Sequence, residues 1–205
     1  MRHTYLLLMA LLLPAFSLSS NPLVAVTTPP GFAVKVLAHG GNACPQLAPA
    51  PVLANAATST TFELSLPPLS TRGGASLKER RATCQLSLDI KPPAGWEYRV
   101  KGLSARSSSR LSLGDKATIR WHAWIEGAHV DWINAQITWV GPLSHRDHPV
   151  SLVSSREKWV GCARAPHRAL TLSLESRLDE ASNAGASTHF ETPLVVSLDW
   201  RPCGK

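Results

Sequence analysis

Apolar and polar residues alternate along most of the chain, and no long stretch carries the spacing of an amphipathic helix. Phe32, Val34, Val36 and Ala38 share one face of a first strand, and Phe62, Leu64 and Leu66 one face of a second. Cys84, Leu86, Leu88 and Ile90 line a third, with Gln85, Ser87 and Asp89 on its opposite side. Trp96, Tyr98 and Val100 continue after the turn Pro92-Pro93-Ala94-Gly95, and Leu170, Leu172 and Leu174 alternate with Thr171, Ser173 and Glu175. Near the C-terminus Leu194, Val196, Leu198 and Trp200 alternate with Val195, Ser197, Asp199 and Arg201. Strands with one apolar and one solvated face belong to antiparallel sheets closing on a shared core. The 13 Gly and 16 Pro supply turns and leave little room for helices. The pattern predicts an all-β antiparallel sandwich with little or no helix. Two stretches break it: Gly40 to Thr60, rich in Ala, Pro and Asn, reads as a long surface connection, and Ser182 to Ser187 as a second loop.

The alternation is most sustained between Ala117 and Val140. Ala117, Ile119, Trp121, Ala123 and Ile125 alternate with Thr118, Arg120, His122, Trp124 and Glu126. Beyond Gly127-Ala128-His129, the residues Ile133, Ala135, Ile137 and Trp139 alternate with Trp132, Asn134, Gln136 and Thr138. A hairpin centred on Ala128 sets Trp124 opposite Trp132, His122 opposite Asn134, and Arg120 opposite Gln136 on one outward face. Indoles cover the apolar faces of sugar rings while amide, imidazole and guanidinium groups meet hydroxyls, so this face is a candidate glycan platform. The plainer alternative gives both indoles to packing beneath a loop or a second sheet edge.

Tyr5 to Phe16 is an apolar run behind Arg2 and His3, interrupted only by Pro14, and Ser17-Leu18-Ser19 carries the small residues of a cleavage site. The expectation is a signal peptide over residues 1–19 and a single exported sandwich domain over 20–205, with no transmembrane segment in the mature chain. Removing the leader takes Arg2 from the 21 basic residues and leaves 20 against 14 acidic ones, a net charge of +6. A mild positive field favours anionic envelope polymers or glycans as partners. Lys78, Arg80 and Arg81 form one small basic cluster, and Ser104 to Arg110 a Ser-rich basic stretch. No basic helix or aromatic RNA motif accompanies the charge, so nucleic acid is not an expected partner.

Cys44, Cys84, Cys162 and Cys203 are the only cysteines. An even set in an exported chain reads as two disulfides. The order of strands favours Cys44–Cys84 and Cys162–Cys203, while sequence alone allows three pairings. The four thiols lack the close pairs of a zinc site. His145-Arg146-Asp147-His148 brings two imidazoles and a carboxylate together beside Gly141-Pro142, where a solvated loop is expected, and no further ligand follows at metal spacing. Neither a metal nor a cofactor is expected.

The cysteines also carry a resemblance. Gly41-Asn42-Ala43-Cys44-Pro45, Arg81-Ala82-Thr83-Cys84-Gln85-Leu86-Ser87-Leu88, Pro93-Ala94-Gly95-Trp96-Glu97-Tyr98, Trp159-Val160-Gly161-Cys162 and Leu198-Asp199-Trp200-Arg201-Pro202-Cys203 occur in that order. In order and cysteine context this resembles the secreted "domain of unknown function 4360" family, over about Pro30 to Cys203. The resemblance implies a small exported β-rich protein with all four cysteines paired, and it brings no catalytic residue. No Gly-x-Ser-x-Gly elbow is present, and Asp131, Glu157, Glu175 and Asp199 form no evident acidic pair. The leading expectation is a non-catalytic cell-surface module binding glycan or anionic polymer through Trp124, Trp132, His122, Asn134, Arg120 and Gln136. The alternatives are a secreted hydrolase with an unidentified acidic pair, and a structural envelope protein that buries the two indoles against a partner.

Overall fold

The computed structural model describes residues 31–45, 50–55, 59–73, 76, 78–125, 127, 130–162, 169–180 and 185–204. The expected leader lies outside them, as do Ala128 and His129 at the hairpin tip and residues 182–184 of the second expected loop. Strand order follows the chain: β1 (Ala33–Gly40), β2 (Val52–Asn55), β3 (Ser59–Leu64), β4 (Leu69–Arg72), β5 (Arg81–Lys91) and β6 (Trp96–Leu111). After these come β7 (Lys116–Ile125), β8 (Val130–Val140), β9 (Leu143–Val153), β10 (Leu170–Glu180) and β11 (Ser187–Pro202). Among the described residues no helix is long and apolar enough to cross a membrane.

Two antiparallel sheets form the predicted sandwich. One has the order β1-β5-β10-β7-β8, the other β2-β3-β11-β6-β9, with β4 pairing on β11 beyond the end of β3. Between them Leu86, Leu88, Leu170, Leu172, Phe62, Leu64, Val196 and Leu198 are fully buried, as the alternation requires. Aromatic rings join the layers: Trp121 of β7 meets Phe190 of β11 edge-on at 5.0 Å, and Trp200 of β11 packs on Phe32 at 5.1 Å. Two expectations need correction. Val52–Asn55, inside the expected long connection, is a short edge strand on β3. His145 to His148 is not a loop but part of β9, whose backbone pairs with β6 although its side chains are polar.

Both cysteine pairs are joined as the strand order favours, Cys44–Cys84 and Cys162–Cys203, and among the described residues no cysteine is free. Each bridge fastens a segment already docked through its backbone. Gly41 has φ 126°, and a Cβ there would lie 2.3 Å from the Thr83 carbonyl oxygen, so only glycine lets this turn approach β5. The Asn42 side chain then acts as a strand partner: Oδ1 accepts the Thr83 N–H at 2.8 Å and Nδ2 donates to the Arg81 carbonyl at 2.7 Å. Gly161 does the same beside Cys162, its absent Cβ leaving room for the Trp96 carbonyl 2.8 Å away. The bridges close separations of 40 and 41 residues. Loops of that length correspond to about 3–4 kcal/mol each on the chain-entropy model. Replacing Cys44 and Cys84 together by Ala should therefore lower the unfolding free energy by about 3 kcal/mol in urea titrations. A loss below about 1 kcal/mol would show that the backbone contacts of Gly41–Ala43 hold this edge without the bridge.

Candidate functional site

The outer face of the first sheet is a grid in which each row crosses from β1 toward β8. One row reads Ala38, Ser87, Thr171, Trp124 and Asp131; the next reads Gly40, Gln85, Ser173, His122 and Asn134. A third holds Thr83, Glu175, Arg120 and Gln136, and a fourth Arg81, Arg177, Thr118 and Thr138. Small side chains dominate the β1–β5–β10 half, so the sheet sinks there into an open depression of about 550 Å³. His39, Arg81, Gln85, Ser173 and Glu175 are among its lining residues. On the β7–β8 side the larger groups rise beside it. His122 stacks on Trp124 with ring centroids 4.2 Å apart and planes 26° from parallel. The other side of that imidazole is fixed by Nε2, which lies 2.9 Å from Asp131 Oδ1. Arg120 donates to Gln136 Oε1 at 3.0 Å, and Arg81 to Glu175 Oε2 at 3.0 Å. In the indole row the Thr171 hydroxyl is buried and has no hydrogen-bond partner among the described residues.

Five of the six expected platform residues share this face. Arg120 opposes Gln136 and His122 opposes Asn134 in the expected register, and Trp124 stands half-buried beside them. Trp132 does not join them. The register slips between Ala123 and Trp124, so Trp124 faces Asp131 and Trp132 is the extra residue of a β-bulge. Turned inward, Trp132 is 2% exposed, packs on Tyr98 at 5.9 Å and donates its indole N–H to the Lys158 carbonyl at 2.8 Å. The expected indole pair is thus one indole on the surface and one in the core.

A second bulge shapes β9. Ser107 opposes His148 and Ser109 opposes His145, so Arg146 and Asp147 together face Ser108. Asp147 takes a positive φ of 54°, its carboxylate pairs with Arg106, and its N–H donates to Ser108 Oγ at 3.1 Å. This brings the rings of His145 and His148 within 5.2 Å and lays His145 against Trp139 at 5.4 Å. Among the described residues no group of three or more metal-ligating side chains forms. The acidic candidates divide between the two outer surfaces. Asp131 and Glu175 lie on the first sheet, bound to His122 and Arg81, whereas Asp199 and Glu157 engage Arg99 on the second. The second surface holds a feature that periodicity did not mark. Trp159 covers the guanidiniums of Arg201 and Arg99 at 4.4 and 5.2 Å, which binds the segment before Cys162 to β6 and β11.

Together these features define an exported-type β-sandwich braced by two disulfides, with a polar groove flanked by an imidazole–indole stack. The chain belongs to the family described as a domain of unknown function (DUF4360), whose model matches residues 30–203. It is similar to an uncharacterized secreted protein of Arthroderma benhamiae, 22% identical over 173 residues, covering 80% of this chain and 69% of the relative. That relative and the two closed disulfides agree on a secreted location. Among solved structures it aligns with the module TmCBM61 in complex with β-1,4-galactotriose, at 9% identity and a TM-score of 0.28, covering 84% of this chain and 88% of that one. A family 11 carbohydrate-binding module from Clostridium thermocellum aligns at 10% identity and a TM-score of 0.23, covering 81% and 95%.

The two indoles should separate cleanly in stability measurements. Trp132→Ala is expected to cost about 3–5 kcal/mol, as for other large core truncations, and Trp124→Ala about 1 kcal/mol or less; equal losses would refute the inward placement. A pH effect follows from β9. Burial, with His148 adding to it, holds His145 below its ordinary value of 6.5. The unfolded chain therefore binds more protons once the pH drops through 6.5, and stability falls until the pH passes the folded value. His145→Asn should flatten the decline in unfolding free energy between about pH 7 and about pH 5, and an unchanged slope would contradict this assignment.

Proposed function

We propose that this secreted protein is a glycan-binding module whose site is the groove on the outer face of the β1-β5-β10-β7-β8 sheet. The observation that carries the reading is the pre-organised Trp124–His122–Asp131 stack beside a shallow polar floor. An indole held by a neighbouring ring, which a carboxylate fixes in turn, meets a sugar face at little entropic cost. Ser87, Ser173, Gln85 and Asn134 supply hydroxyl and amide groups of the kind that meet sugar hydroxyls.

Charge and length narrow the ligand. Across this floor Asp131 and Glu175 offset Arg120 and the neighbouring Arg81, so it favours neutral rings over a polyanion. Crossing five strands takes four interstrand steps, about 19 Å at the usual spacing, which suits a short run of an oligosaccharide rather than one ring. The groove is open and, among the described residues that line it, Glu175 is the one carboxylate, which agrees with binding rather than hydrolysis.

Affinity electrophoresis and calorimetry against a panel of soluble polysaccharides test the proposal. At least one polysaccharide should bind, and Trp124→Ala should weaken it by about tenfold or more, the scale of losing one aromatic anchor. His122→Ala should weaken it less, because it removes the support and leaves the indole. Trp124→Ala binding as well as the wild type would end the platform reading.

A further inference from the structure

The fourth row of the same face is built differently from the other three. Arg81 and Arg177 are direct cross-strand partners, and like charges so placed repel. Arg80 stands beside them. Its carbonyl accepts the Leu178 N–H at 2.9 Å and its N–H donates to the Ser76 carbonyl at 3.1 Å, so its backbone is fixed at this spot. Arg80, Arg81 and Arg177 line an open depression of about 400 Å³ together with Leu178 and Asp179. Arg81 is answered by Glu175, and Arg177 by Asp179, which also accepts from the Thr118 hydroxyl. Arg80 has no such answer. Among the described residues its Nε, closed off from solvent, has no hydrogen-bond partner, and no carboxylate pairs with its guanidinium. A cationic N–H that has lost water without gaining an acceptor is a costly arrangement that an incoming anion relieves.

We infer that Arg80, Arg81 and Arg177 form a binding site for an oxyanion: a phosphate, sulfate or carboxylate group. Guanidinium forks match such groups through paired charge-assisted hydrogen bonds, and an oxyanion between the three removes the repulsion that the sheet register imposes. Arg81 lines both this depression and the larger groove, so a glycan lying across the strands can deliver an acidic substituent here. That last extension rests on the glycan reading; the oxyanion site does not.

Calorimetry and thermal unfolding of the secreted chain with inorganic phosphate and sulfate test the site, against chloride at matched ionic strength. Both oxyanions should bind saturably and raise the Tm above the chloride control. Arg80→Met should lower the affinity by about tenfold, the loss of one charge-assisted contact. Arg177→Lys, which keeps charge but loses the fork, should lower it severalfold, and Trp124→Ala should leave it unchanged. In chloride Arg80→Met should be at least as stable as the wild type, because an unanswered cation is gone. No saturable binding beyond the chloride control, or undiminished binding in both Arg variants, overturns the site whatever the glycan experiments show. An oligosaccharide compared with its sulfated or uronate-bearing form separates the sources. An Arg80-dependent preference for the acidic form assigns the oxyanion to a glycan; equal affinities with phosphate binding intact assign it to a free ion.

Discussion

Parity rules this molecule. In a strand, each residue's face is decided by whether its position is odd or even, and one inserted residue reverses every face beyond it. With two sheets sharing one core, a wrong parity would turn Leu or Trp to water and Arg or Glu inward, so packing fixes the register strand by strand. The outer faces inherit that order without having selected it. Arg120, His122 and Trp124 stand together outside because Ile119, Trp121, Ala123 and Ile125 are needed inside.

Departures from regular facing are concentrated where parity breaks. The bulge at Trp132 moves an indole from surface to core and hands its cross-strand place to Asp131, which then holds His122. The bulge at Arg146–Asp147 puts two histidines three residues apart on neighbouring ground, where a regular strand would send them to opposite faces. In β11 the register shifts between Glu191 and Val195, around Pro193, which has no N–H for the ladder; on either side of this break β11 pairs with β4 and with β3. One long strand thereby borders two short ones.

These breaks also explain what could be read in advance. Runs such as Cys84–Ile90 and Leu170–Leu174 alternate without interruption, and their strands and sheet class follow from the residues alone, whereas the strand order only favours the observed disulfides among three possible pairings. The pairings of Arg120 with Gln136 and of His122 with Asn134 were legible for the same reason. Trp132 was not, because a bulge inserts a residue without a compositional mark at that point. β9 was hidden because an edge strand buries little: His145 to His148 is polar, Pro149 is exposed, and Val150 is the nearby residue fully in the core. Trp159 was missed because its partners, Arg99 and Arg201, come from strands distant in sequence. The basic cluster at Lys78, Arg80 and Arg81 was visible as composition, but the decisive fact, Arg177 opposite Arg81, is a product of sheet order.

The two disulfides enclose separate stretches of chain, 44–84 and 162–203, and neither loop contains nor crosses the other. Residues 85–161, which include β6 to β9 and the imidazole–indole stack, are therefore spanned by no covalent tie of their own. Oxidation secures the two flanks independently, like clasps at either end of a belt. The middle keeps its shape through strand pairing and burial, so changes on its outer face leave untouched the bridges that carry the protein through the extracellular environment.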